Sequence, residues 1–183
     1  MYDVAVQQVE VNSKREEFKT LKGAIHVLTR ILPLIFEDKE FFMRSMWHEQ
    51  PYFANQVNAL RLMEAISILL FKPGFTIAPL NGVSPQMYAI DENLVWRSGI
   101  TVLDATNHNI YEYDQNRIAL LRLIIVMLSQ PLFHSPEEYL VILNPFNTFF
   151  TNRNCKNVKN LFISLVNVII SYDCAGYVSI DSS

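Results

Sequence analysis

The residues of this sequence best suited to binding a metal or moving a proton near neutral pH are its four histidines, His26, His48, His108 and His134. They are dispersed, with no two at i and i+4 on a helix, so the paired face that a helical zinc site needs is missing. His26 stands between apolar residues of a helical seam, where a packed or surface role is the simpler reading. Glu16 and Glu17 are adjacent, as are Glu137 and Glu138. Neighbouring carboxylates on a helix point apart and cannot flank one bond, which removes the arrangement that paired acid/base catalysis requires. No serine, threonine or cysteine sits in a nucleophile elbow, and the few glycines form no phosphate cradle. Cys155 and Cys174 lack metal-ligand spacing and are too few for a secreted disulfide framework. Arg122 interrupts an otherwise apolar run, and a snorkelling or carbonyl-bonding arginine is preferred there over a ligand contact. No catalytic, cofactor-binding or metal-ligating residue is assigned, no cofactor is expected, and the chain is read as a non-enzyme.

Composition narrows the partners. The chain has 183 residues, 50% hydrophobic and 18% charged, with a net charge of -3. It is long enough to bury roughly 70% of its unfolded surface in one domain, and too apolar to be disordered. The apolar excess also fits a section of a larger helical array, some of whose faces belong to neighbours outside it. Charges of both signs are scattered, so nothing points to nucleic acid or an anionic bilayer, and partners are expected to be other proteins, recognised by shape and apolar contact. Abundant Asn without a single Asn-x-Ser/Thr sequon, together with the two cysteines, points to cytosolic exposure. The start, MYDVAVQQVEV, is no leader, and the apolar run Ile118 to Leu128 is shorter than the ~20 residues of a bilayer span. Membrane contact is therefore expected to be peripheral at most. Tyr2 stands where an N-myristoyl signal would need Gly.

The elements that must position these residues read as helices. Ser13 with Glu16 fits a capping box, and Phe18, Leu21, Ile25, Leu28, Leu32 and Ile35 behind it make one narrow seam, with Pro33 expected to bend the helix near its end. A coiled coil is the alternative for that seam, and the proline favours packing in a globular array. Glu37 to Glu40 form a charged turn before a brief helix, FFMRSMW. A third helix, about Tyr52 to Phe71, places Val57, Leu60, Met63, Ile66 and Leu70 on one side and stops at Lys72, Pro73 and Gly74. Residues Pro73 to Ile90 contain three prolines, two glycines and no charge, and are expected to lie along the helices with Phe75, Ile77 and Leu80 tucked in. Asp91 caps a short helix carrying Leu94, Val95 and Trp96, with Gly99 near its end.

Asp114 is expected to cap the helix around which the rest is arranged, Asp114 to Leu132, closed by Pro131 and Pro136. Between Ile118 and Leu128 its only polar residue is Arg122, so it should be wrapped by companions on several sides, with Leu121 and Ile125 buried. Asn144 and Pro145 start a short helix with Phe146, Phe149 and Phe150 on one side. The last helix, about Lys156 to Tyr172, should turn Asn160, Ser164, Asn167 and Ser171 to water and Leu161, Leu165, Ile169 and Tyr172 inward. The fold class is all-α. A closed bundle or an α-solenoid of stacked antiparallel helices fits, and the bent first helix and the long uncharged connection favour a partial HEAT/armadillo-like array. The division is residues 1–12 as a frayed N-terminal segment, 13–177 as one helical-repeat region, and 178–183 as a frayed tail.

Several strings add a resemblance. LTRILPLIFED at Leu28 to Asp38, AISILLFKPGFTI at Ala65 to Ile77, LVWRSGI at Leu94 to Ile100, YDQNRIALLRLI at Tyr113 to Ile124, and NLFISLVNVIISYDCAGY at Asn160 to Tyr177 occur in the same order and with similar gaps in one family. The sequence resembles the high-temperature-induced dauer-formation protein family, distantly similar to dymeclin. The resemblance implies a large cytosolic helical-repeat protein attached to Golgi and trans-Golgi membranes. It further implies a scaffold, without an active site, in protein sorting and dense-core secretory granule formation. Members typically begin Met-Gly and are myristoylated, and continue for several hundred residues past the Gly-Tyr at Gly176 and Tyr177. With Tyr2 at the start, this chain is read as a fragment, an incomplete gene model or a short isoform.

Overall fold

A computed structural model describes residues 2–47, 57–77, 96, 110–139, 144–152 and 156–170, with side chains at 16–47, 57–77, 96, 111–137, 144–152 and 157–170. Every regular element among them is helical: α1 (Tyr2–Glu37), α2 (Lys39–Met46), α3 (Asn58–Leu69), α4 (Ile110–Leu128), α5 (Pro136–Tyr139), α6 (Pro145–Thr151) and α7 (Lys156–Ile170), with a 3-10 turn at Gln130–Phe133. The expected all-α class is what the chain adopts.

The start of α1 corrects the sequence reading. Ser13 lies inside a helix that runs from Tyr2, because residues 2–12 contain neither proline nor glycine to stop it, so the backbone set aside as a frayed end is helical. The helix also continues through Pro33 to Glu37. A proline there withdraws one backbone donor, yet Ile25, Leu32 and Phe36 on either side are buried and hold the turn in place. The seam packs as one face of a globular core, with Phe18, Leu21, Leu28 and Ile35 half-buried against it.

Asp38 ends the charged turn as a cap, its carboxylate accepting from Phe41 N at 2.9 Å, and α2 follows as expected. Phe42 of α2 packs edge-on to Phe36, with ring centroids 5.4 Å apart, and both face Phe146 of α6. The aromatic cluster thus joins elements more than 100 positions apart. Asn144 caps α6 through Oδ1, which accepts from Phe146 N at 2.8 Å and Asn147 N at 3.2 Å, and Pro145 occupies the first turn, as the dipeptide indicated. In α3, Ala59, Met63 and Ile66 are buried and Leu70 closes the helix, while Leu60 is only half-buried.

Two faces turn out differently from their expectation. Helix α4 begins at Ile110, so Asp114 is not its cap but a helical residue paired with Arg117. One side of α4 is buried through Asn116, Leu120, Leu123, Ile124 and Met127, whereas Ile118, Arg122 and Ile125 face water, Ile125 with 66% of its surface exposed. Leu121 is half-buried. The helix is therefore packed on one side and not wrapped; an all-round apolar sequence left the choice of side to the neighbours. In α7, Asn160 and Ser164 of the expected water-facing stripe are buried, and Ile169 is 73% exposed. The reason is a set of polar ties on that side, described below, which only the folded chain brings within reach.

Leu80, Leu94, Val95, Gly99, Asp91 and Tyr172 lie outside the described residues.

Candidate functional site

The chemistry-bearing residues that come together are not those singled out by spacing. They surround the turn after α3. Gly74, at φ 79°, reverses the chain there, and its N–H donates to the Ile77 carbonyl at 2.8 Å. Phe75 and Thr76 N–H groups both donate to the Lys72 carbonyl at 3.0 Å. The reversal drives Phe75, Thr76 and Ile77 into the core, in agreement with the expectation for Phe75 and Ile77.

Thr76, fully buried, then closes the end of α3. Its hydroxyl donates to the Leu69 carbonyl at 2.7 Å and accepts from Lys72 N at 3.0 Å. The next carbonyl, that of Leu70, accepts from Trp96 Nε1 at 2.9 Å. Two carbonyls that a helix C-terminus leaves without intrahelical donors are satisfied in this way.

Helix α4 grips the same turn. Asn116 Nδ2 donates to the Phe75 carbonyl at 2.8 Å, and Arg117 Nε to the Thr76 carbonyl at 2.6 Å. Arg117 Nη1 donates to Asp114 Oδ1 at 2.7 Å, and its guanidinium lies 5.3 Å from the centre of the Trp96 ring. From the opposite side, Ser164 Oγ of α7 accepts from the Trp96 backbone N–H at 3.1 Å. Asn157 Nδ2 of α7 reaches the Ser67 carbonyl of α3 at 3.1 Å. These contacts are the polar ties that turn the α7 stripe inward.

Arg117 is thus committed on three sides, with its side chain 12% exposed. Bonded to a carbonyl and a carboxylate and set against an aromatic face, it acts as a rivet between α4 and the turn after α3. Four of the five strings that carry the family resemblance supply the hub: Phe75 and Thr76, Trp96, Asp114 with Asn116 and Arg117, and Ser164. What those strings share is a clamp between α3, α4 and α7. Pattern along the chain does not disclose it; the i, i+3 spacing of Asp114 and Arg117 is the one local signal, and the cap expected at Asp114 hides it.

The residues weighed for chemistry are spread apart. His26 is exposed on α1, Glu16, Glu17 and Glu137 are exposed, and His134 Nε2 lies 2.6 Å from Gln130 Nε2 behind α4. His48, His108, Cys155 and Cys174 lie outside the described residues. Among the described residues no three His, Cys, Asp or Glu side chains come together as a metal set. A void between α3, α6 and α7, lined by Met63, Ile66, Leu70, Phe149, Phe150 and Leu161, measures about 10 Å³. That is the size of a single water.

The surface is where apolar groups accumulate. Val27, Ile31 and Leu34 on α1, Tyr111, Ile118 and Ile125 on α4, Leu132 just beyond it, and Phe162 and Ile169 on α7 are all exposed. Each helix carries these at helical spacing on the side away from its buried face.

The sequence profile of the high-temperature-induced dauer-formation protein matches residues 3–182. The chain belongs to that family. It is 29% identical to Protein HID1 of Mus musculus over 178 residues, covering 88% of this chain and 22% of the mouse protein. With Protein HID1 of Homo sapiens it shares 29% identity over 189 residues, 94% of this chain and 24% of the human protein. A third similar protein, the Ubp5-interacting protein ftp105 of Schizosaccharomyces pombe, is 37% identical over 76 residues, 42% of this chain and 8% of the yeast protein. The chain therefore spans less than a quarter of the length of the HID1 proteins it matches. No solved structure matches it. No described helix is long and apolar enough to cross a membrane.

Proposed function

We propose that this chain is a section of a non-enzymatic scaffold in membrane traffic at the Golgi and trans-Golgi network, serving protein sorting and dense-core granule formation. The observation that carries the reading is family membership along nearly the whole chain. The structure supports the scaffold part: helices tied by a buried clamp, with apolar lines left on the outward sides of α1, α4 and α7. Such lines suit a slab within a longer α-solenoid, each helix pair covered by the next, with the described helices α1 to α7 taken as one helical-repeat region. The protein is cytosolic in this reading and touches Golgi membranes peripherally.

Imaging the tagged full-length gene product beside Golgi markers tests the assignment. Enrichment on Golgi membranes is expected, and a uniform cytosolic signal overturns it.

One observation favours a second reading, a helical module that docks a single partner with no part in secretion: a relative is named for interacting with Ubp5. Affinity purification separates the two. Coat, tether or granule factors are expected under the first, and one stoichiometric partner under the second.

A further inference from the structure

The hydroxyl groups of the described residues fall into three kinds. Thr20, Thr29, Ser45, Ser67 and Ser129, with both threonines of α6, each donate to a backbone carbonyl about one turn earlier. Thr76 and Ser164 are buried in the clamp. Ser135 is different: it is exposed and stands between the 3-10 turn and α5, in neither. Among the described serines and threonines it alone is both exposed and outside a helix. His134 before it has extended backbone, φ -125° and ψ 155°, and Pro136 after it holds Ser135 away from the helical region. Leu132 and Phe133 ahead, and Pro136 and Glu137 behind, are exposed as well. A protein kinase lays its substrate in a groove as an extended strand around the acceptor hydroxyl. A surface connection meets that demand as it stands, whereas a helical hydroxyl must first unwind its turn. Pro136 also offers the enzyme no backbone N–H, which restricts the site to kinases that accept proline directly after the acceptor.

From this we infer that Ser135 is a phosphorylation site for a proline-directed serine/threonine kinase. Ser135 Oγ bonds to the γ-phosphorus of ATP as the bond from that phosphorus to its bridging oxygen breaks. ADP leaves with the electron pair, and the hydroxyl proton passes to a carboxylate of the kinase. The new group carries about -1.5 to -2 charges at pH 7, just ahead of Glu137 and Glu138 and beside Leu132 and Phe133. An apolar corner thereby becomes strongly anionic, so the modification opposes any contact that would bury Leu132. The inference goes beyond the scaffold reading. In a stacked helical array the connections run along the edges and not between successive helix pairs, so a longer chain leaves Ser135 within reach.

The test incubates the purified 183-residue chain with ATP and a mitogen-activated protein kinase. Peptide mapping is expected to place phosphate on Ser135, at a rate within tenfold of that for a synthetic peptide of residues 128–142, because the fold already presents the segment. P136A should slow the reaction at least tenfold, and E138Q should leave it unchanged. Unchanged circular dichroism will show that both variants fold. The tagged full-length gene product, isolated from cells, should carry the same phosphopeptide. Four results overturn the inference. The folded chain could react more than tenfold more slowly than the peptide, or phosphate could fall only on Ser84, which also precedes a proline. P136A could react as fast as wild type while E138Q does not, the mark of an acid-directed kinase. Ser135 of the cellular protein could carry no phosphate. None of these touches the Golgi assignment, which imaging decides separately.

Discussion

Thr76 shows how one side chain can close a helix. A buried hydroxyl that both donates to the Leu69 carbonyl and accepts from Lys72 N reinforces the long backbone bond, 3.3 Å, between those two groups at the end of α3. Valine has the same shape and neither bond, so Thr76→Val is expected to cost about 0.5–1.5 kcal/mol, the net worth of a hydrogen bond, since Lys72 N still reaches the Leu69 carbonyl at 3.3 Å. Urea unfolding should show a lower midpoint with an unchanged slope. Trp96→Phe keeps a ring over Arg117 and beside Phe71 but removes the donor to the Leu70 carbonyl, and a loss of similar size is expected. Thr76 and Trp96 serve the same helix end through the same hub, so the double variant should depart from additivity. Strict additivity would show that the two caps work independently.

At the scale of elements, α4 makes the sharpest claim. Leu120 is fully buried and Ile125 is two-thirds exposed on the same helix. Leu120→Asp should leave little folded protein at 25 °C, since an unpaired buried charge costs several kcal/mol. Ile125→Asp should shift stability by no more than about 0.5 kcal/mol. Leu121→Asp, on a half-buried position, is expected to fall between them. If the urea midpoints of the Leu120 and Ile125 variants coincide, the orientation of α4 is wrong. Helix α6 offers a smaller test: Asn144→Ala removes the acceptor of two amide donors and should cost about 1 kcal/mol. Glycine at the same position should recover most of that loss.

For the whole molecule, the outward apolar lines set how the chain behaves in solution. Contiguous exposed apolar surface promotes association. Replacing Phe162 and Ile169 together by Gln is expected to lower concentration-dependent light scattering while leaving the urea midpoint nearly unchanged, because both residues are more than 60% exposed. A large fall in the midpoint would mean that these side chains support the fold itself. An excess of apolar residues over what the core consumes was legible in composition; which residues make up the excess was not.

Element type, helix-stop chemistry and family could all be read along the chain, because they depend on neighbours a few residues away. Pro145 after Asn144 and Gly74 after α3 act through local backbone geometry, and each does in the fold what its position suggested, whereas Asp38, read only as part of a charged turn, caps α2. Buried sides are another matter. Between Ile118 and Leu128 nearly every side of α4 is apolar, so solvent preference could not choose among them. The choice fell to Asn116 and Arg117, whose hydrogen bonds to the Phe75 and Thr76 carbonyls turn one side to the core and leave Ile118 and Ile125 in water. In α7 the same logic reverses the polar stripe, since Ser164 is buried by the Trp96 backbone it serves. Those partners stand 41 and 68 positions apart along the chain, and only tertiary folding brings such donors and acceptors within bonding distance.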